Sequence, residues 1–169
     1  RKAMGENVAD NKPTIDTGSS DNSNSSAGAG SNNTVVTDAM LRQWEQEMIV
    51  RVNDERVKAG VQILTIDEYE MDFARYWAQH LTKEFRHSTW AEKEDFAKLR
   101  GIDVNDLAGG ENVSGGGNVT NMNPVNSCMT GLLNSEGHRA TMLREDFSKI
   151  GIGFAVDSQG NFYCCQRFK

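Results

Sequence analysis

Histidine is the side chain here best suited to chemistry near neutral pH, because its charge changes there. The sequence contains three: His80, His87 and His138. His80 falls inside a well-patterned helical stretch and reads as structural or exposed. The other two lie just past expected helix ends, beside small or polar residues. His87 follows Phe85-Arg86 and precedes Ser88, and His138 belongs to Asn134-Ser135-Glu136-Gly137-His138-Arg139. Between them run Gly109-Gly110-Glu111-Asn112 and Gly115-Gly116-Gly117. The glycine run lacks the Lys-Ser/Thr of a phosphate-binding loop and the spacing of a dinucleotide fingerprint, so it is expected to be a flexible loop. A serine nucleophile is disfavoured: there is no G-x-S-x-G elbow, and Ser135 is expected to cap the turn that starts at Glu136.

Three cysteines, Cys128, Cys164 and Cys165, leave at least one thiol unpaired within the chain. They contain no C-x-x-C, which argues against a zinc ribbon or a thioredoxin-type site. A bridge from Cys128 to Cys164 or Cys165 and three buried reduced thiols are both open readings. Cys128 sits on the apolar side of an expected helix, where a core thiol is favoured over a nucleophile. Asn112-Val113-Ser114 and Asn118-Val119-Thr120 match the glycosylation pattern, a match that also arises by chance.

The elements that must position these residues follow from composition and periodicity. The segment 5–33 is Ser, Asn, Gly, Asp and Ala with few large apolar side chains. It cannot bury enough surface to offset its ordering entropy, so residues 1–36 are expected to form a disordered linker and 37–169 a domain. Thr37 or Asp38 caps a helix to about Ala59, with Leu41, Trp44, Met48, Ile49 and Val52 on its apolar face and Gly60 as its stop. Asp67 starts a second helix, with Glu70 placed for a capping box and a stripe of Met71, Ala74, Trp77, Ala78 and Leu81. The charged stretch 92–100 reads as a surface helix ending at Gly101. Asn123 and Pro124 open a fourth helix bearing Val125, Cys128, Met129 and Leu132. Segments 150–156 and 162–168 read as strands of a hairpin. Helices first and a hairpin last define an α+β pattern.

The bulk numbers exclude some functions. Across 169 residues, 37% hydrophobic and 25% charged side chains suit one soluble domain with a polar appendage. A net charge of -6 and a pI near 5.1 give no field to attract a phosphate backbone, so no nucleic-acid partner is expected. No apolar run approaches the roughly 18 residues of a transmembrane segment. Beginning at Arg1, the chain reads as a fragment from which any signal peptide or anchor has been removed.

Six short motifs, in order, resemble the landmarks of the CAP superfamily (the SCP domain of cysteine-rich secretory, antigen 5 and pathogenesis-related proteins) in its bacterial form. Asn53-Asp54-Glu55-Arg56, followed by Gly60 and Leu64, resembles its N-x-x-R segment. Phe85-Arg86-His87-Ser88 resembles F-x-H-S, and Gly110-Glu111-Asn112 resembles G-E-N. The segment 134–139 is similar to S-x-G-H-R, with Glu136 where Pro is frequent. Ile150-Gly151-Ile152-Gly153 resembles I-G-V-G, and Gln166-Arg167-Phe168 resembles the terminal Q-x-F. Leu132 stands where the bacterial pattern has Trp. The resemblance implies a three-layer α-β-α sandwich with a central antiparallel sheet, and an exported, extracellular or envelope-associated protein. It also implies that His87, Glu111 and His138 converge in one cleft, with Ser135, Glu136 and Asn112 beside them and Glu136 standing in for a second acid of the eukaryotic branches.

Such a trio supports three chemistries. Two neutral imidazoles, His87 and His138, with a carboxylate can hold zinc or another divalent metal with a position open. A carboxylate beside an imidazole can orient it as a general base. The same groups can form a polar network that ties the glycine-rich segment to the neighbouring helices. The corresponding functions are a binding module for an unidentified ligand or cell-envelope component, a metal-assisted hydrolase acting on peptide or cell wall, and a structural spacer. Whether the protein is an enzyme stays open, because fold does not fix activity.

Overall fold

A computed structural model describes residues 34–169, so most of the expected linker, residues 1–33, lies outside the described residues. The elements in chain order are α1 (Asp38–Lys58), β1 (Thr65–Ile66), α2 (Glu68–Leu81), α3 (Trp90–Arg100), a 3-10 turn (Val104–Leu107), β2 (Gly110–Asn118), α4 (Pro124–Leu133), α5 (Glu136–Met142), β3 (Lys149–Val156) and β4 (Asn161–Phe168). The sheet order is β1-β3-β4-β2. Both β2 and β3 pair antiparallel with β4, whereas the two-residue β1 runs parallel to β3. The sheet is therefore mixed at one edge rather than wholly antiparallel.

Strand alternation divides the core between two faces. Ile150, Ile152 and Phe154 of β3 and Phe162, Cys164 and Phe168 of β4 pack with Trp44, Met48 and Val52 of α1 and Val125, Cys128 and Leu132 of α4. Ala155 and Cys165 face the other way, onto Phe73, Trp77 and Leu81 of α2 and Phe96 of α3. Helices cover both faces, giving the three-layer α-β-α sandwich. On the α2 side two strand positions have no room for a side chain. A Cβ at Gly151 would strike the backbone of Glu70 and Met71, and one at Gly153 the backbone of Ala74. The Gly-x-Gly spacing of β3 thus lets α2 lie directly on the sheet.

Local chemistry explains most helix ends. Thr37 Oγ1 accepts from Met40 N, and Asn123 Oδ1 accepts from Asn126 N, as their types predict. The capping box expected at Asp67 does not form. Asp67 accepts from Tyr69 N and Glu70 N, but the Glu70 carboxylate turns inward to Arg167. The capping box belongs instead to Thr89 and Glu92, and it starts α3 at Trp90, two residues before the expected start. Nor is α3 purely a surface helix, since Phe96 and Ala97 are buried. Ser135 holds the N-cap position of α5 but makes no side-chain capping bond.

The largest departure is the glycine run. Residues 110–118 form β2, paired along β4 from Gly110↔Phe168 to Asn118↔Asn161, with the register shifting between Gly115 and Gly117. The intervening Gly116 has φ 93°, a left-handed conformation that the bulge requires. A Cβ at Gly115 would fall 2.6 Å from Phe162 O, and one at Gly117 would enter the Phe162 ring. Composition suggested a loop; close approach to β4 is what the glycines provide.

The N-x-x-R segment at the end of α1 is a structural clasp. Asn53 accepts from Leu64 N at 2.8 Å and donates to Leu64 O at 2.9 Å. Arg56, fully buried, donates to the carbonyls of Gln62, Met142, Arg144 and Phe147. These bonds hold the segment between α5 and β3 against α1.

Candidate functional site

The site is built on the loop between α2 and α3, the start of β2 and the first turn of α5. The loop is fixed from both sides. Trp77 Nε1 donates to Arg86 O at 3.1 Å, while Arg86 pairs with Glu92 at 2.6 Å and lies over the Trp77 ring at 5.1 Å. The Arg86 guanidinium and the Thr89 cap hold the Glu92 carboxyl down to about 2. His87 and Ser88 lie between these anchors, facing Glu111 of β2.

Glu111 is nearly buried, its side chain 7% exposed, and is surrounded by donors. Its Oε1 accepts from Ser88 N at 2.8 Å and meets His87 Nδ1 at 2.9 Å. Its Oε2 accepts from Ser88 Oγ and, at 3.4 Å, from Arg167 Nη1. A carboxylate only accepts, so the imidazole must donate through Nδ1–H, and in its neutral form Nε2 keeps the lone pair. The His87 side chain is 56% exposed and hence open to a ligand.

His138 joins from α5, its ring 6.5 Å from that of His87 between centroids. Asn112, next to Glu111 on β2, donates to His138 O at 3.0 Å and to Gln166 Oε1 at 3.1 Å. Gln166 in turn contacts Met48 Sδ of α1. A buried amide relay therefore ties α5 to the sheet, and Asn112, at 1% exposure, is closed to glycosylation in the folded chain. Burial pushes the His138 imidazole below its ordinary value, and the neighbouring His87 adds to the shift. A depressed imidazole makes folding less favourable once it must carry a proton. Stability from His138 is full above the ordinary histidine value of about 6.5 and declines as pH falls through its lowered one. Urea unfolding of wild type and His138→Gln between pH 7.5 and 5 should show the steeper loss in wild type.

His87, Glu111, Asn112 and His138 are thus brought together, with Ser88 as the second ligand of the carboxylate. Ser135 caps α5 positionally. Glu136 is exposed and, among the described residues, engages no cation, so nothing directs it toward His87 and His138 as a second acid. His80 stacks on Trp77 at 4.2 Å, within its own helix.

Beneath Glu111 lies a buried ion pair that local sequence patterns do not reveal. Arg167 Nε donates to Glu70 Oε2 at 2.9 Å, Nη2 donates to Leu107 O, and the guanidinium stacks over Phe73 at 5.2 Å. Both Arg167 and Glu70 side chains are fully buried. Desolvation raises the Glu70 carboxyl despite Arg167, and its Oε1 has no partner. Arg167 thereby joins a buried acid to the acid that orients His87.

A three-ligand zinc site fits this donor set poorly, because Glu111 already serves four protein donors. Among the described residues no group of three or more His, Cys, Asp or Glu is disposed to hold a metal ion. His87 and His138 alone would supply two ligands.

Comparison with known proteins gives the same architecture. The sequence matches the cysteine-rich secretory protein family over residues 49–168. It is 26% identical over 125 residues to the Bacillus subtilis protein YkwD, covering 73% of this chain and 47% of that one. The chain thus spans about half the length of that relative. An extracellular SCP-domain protein of Bacillus anthracis superposes with a TM-score of 0.59 at 19% identity, covering 81% of this chain and 45% of that one. An outer surface protein of Borrelia burgdorferi gives a TM-score of 0.57 at 17% identity, covering 73% and 89%. At these identities the structural likeness concerns the fold. Among the described residues no helix is long and apolar enough to cross a membrane.

Proposed function

Because the chain belongs to the cysteine-rich secretory protein family, we propose that it acts outside the cytoplasm as a binding module, with the His87–Glu111–His138 cleft receiving a cell-envelope component. In this reading residues 1–36 are a polar tether that gives the domain of residues 37–169 its reach. One observation carries the proposal: the Glu111 carboxylate is fully engaged by protein donors, and its evident work is to hold His87 in one tautomer. A carboxylate so engaged presents a polar contact but has little freedom to exchange protons with a substrate or to ligate a metal. The exposed His87 ring and the half-buried His138 ring provide donors and acceptors for sugar hydroxyls or peptide amides.

Cosedimentation with purified cell-wall sacculi tests this. Wild type should be retained without releasing soluble muropeptides, and the His87→Ala/His138→Ala variant should bind at least tenfold more weakly, on the order of 1.4 kcal/mol. Equal retention of both proteins, or release abolished by His87→Ala, would contradict the reading.

A second reading, a metal-assisted hydrolase, rests on the proximity of two imidazoles and the depressed His138, which favours the neutral form a metal needs. Zinc calorimetry on untagged wild type, His87→Ala and His138→Ala separates the two. Micromolar or tighter binding lost in both variants would support the metal; no heat in wild type would remove it.

A further inference from the structure

The three cysteines are free, fully or nearly buried thiols, and they are not equivalent. Cys164 and Cys165 are adjacent in β4 and therefore point to opposite faces of the sheet. Cys165 packs with Phe73, Trp77 and Ala155 beneath α2. Cys164 packs on the other face in the cluster that contains Cys128 of α4. The helix crosses β2 and β4 at this level. Ser114 is the cross-strand partner of Cys164, and a Cβ on Gly131 of α4, one turn beyond Cys128, would lie 3.8 Å from Ser114 Oγ. Cys128 thus shares one buried cluster with Cys164, on the face of α4 that lies against Ser114 and its cross-strand partner. From this placement we infer that Cys128 and Cys164 form a disulfide that clamps α4 to β4, leaving Cys165 as the single thiol.

The chemistry requires an external oxidant, which a low-molecular-weight disulfide such as oxidised glutathione supplies. The neighbouring Cys164 holds the Cys128 thiol below the ordinary thiol range, whereas burial pushes Cys164 up, so Cys128 is the first nucleophile. Its thiolate attacks one glutathione sulfur; the S–S bond of the oxidant breaks and one glutathione thiolate leaves. The Cys164 thiolate then attacks the Cys128 sulfur of the mixed disulfide and displaces the second glutathione. In sum the two cysteines give up two protons and two electrons, and the oxidant becomes two thiols. Both sulfurs are shielded in the finished fold, so closure occurs while α4 docks on the sheet. The clamp bears on the cleft: α4 leads through Asn134 and Ser135 into the α5 turn of His138, and β4 carries Gln166 and Arg167. The pairing follows from the packing and stands independently of the ligand proposed for that cleft.

The test is refolding of the full reduced chain in a mixture of reduced and oxidised glutathione. Iodoacetamide alkylation under denaturing conditions and intact mass measurement follow. Wild type should take up one alkyl group and, apart from that group, be two hydrogens lighter than the reduced chain. Cys165→Ala should take up none, and Cys164→Ser should take up two. The Cys165→Ala result separates Cys164 from its neighbour, and the wild-type count needs no variant to fold. Oxidised wild type should melt higher than reduced wild type, on the order of 10 °C, because the bond closes a long loop. Three alkyl groups on wild type, a stable glutathione adduct on Cys128, or closure in Cys164→Ser would overturn the pairing; equal melting temperatures would overturn the clamp.

Discussion

Replacing Arg167 with methionine should lower the unfolding free energy at pH 7.5 by about 3–5 kcal/mol, the usual cost of leaving a buried charge without its partner. The side chain is fully buried between Glu70 and Glu111, and it also serves Leu107 O and the face of Phe73. Methionine restores much of the volume but none of the five donors. The pH dependence has a definite sign. Burial already raises Glu70 above its ordinary value, and Arg167 opposes that rise. Without the guanidinium the carboxyl rises further. A raised folded value means stability is retained at low pH and lost as pH climbs through it. Urea titrations should therefore show the gap between wild type and Arg167→Met widening from pH 4.5 to 7.5. Adding Glu70→Gln should recover part of the loss, because the orphaned charge is then removed. A gap independent of pH, or a double variant no better than the sum of its singles, would contradict this account of the pair.

Arg56→Ala should be comparably damaging, at about 3–5 kcal/mol, through hydrogen bonds rather than charge pairing. Four backbone carbonyls accept from this one buried side chain, Phe147 O sharing it with Gln62 Nε2, and an unsatisfied buried acceptor costs about 1–3 kcal/mol. Solvent entering the gap would relieve some of them, so the costs do not simply add. Lysine should rescue less than half of the loss, since a point charge on a flexible stem cannot reach four carbonyls as a planar guanidinium does. Hydrogen exchange should localise the damage, with protection falling first in the segment from Leu143 to Ser148. A loss below about 0.5 kcal/mol, the scale of ordinary surface substitutions, would sink this assignment.

These two arginines mark the limit of what the sequence discloses. The cap residues Thr37 and Asn123 announce their helices because the bonds they accept span three residues. The hairpin of β3 and β4 is equally local. Arg167 meets Glu70 across 97 residues, and nothing in either neighbourhood indicates the partner. Glu70 shows how a local pattern misleads: its spacing from Asp67 fits a capping box, but burial beside an arginine is the stronger demand. The glycine-rich β2 is misread for a related reason. Its glycines are selected by the approach of Phe162 and by a bulge, neither of which exists until the sheet forms. Two-residue β1 is too short to carry a pattern. The candidate site was legible as ordered landmarks around His87, Glu111 and His138. Ser88 as an anchor of the carboxylate, and Asn112 as the bond that places His138, required the geometry.

The His87 and His138 rings are neighbours, and Glu111 holds the first of them. With three histidines in the chain, each imidazole can be followed by NMR through a pH titration of the isotopically labelled protein. The His138 midpoint, lowered by burial and by the neighbouring imidazole, should lie below about 6.5 in wild type and rise part of the way toward it in His87→Asn, because that imidazole has been removed. The neutral His87 ring should carry its proton on Nδ1, as its bond to Glu111 requires. A His138 midpoint that ignores the His87 substitution, or a His87 ring that carries its neutral-form proton on Nε2, would contradict the site described.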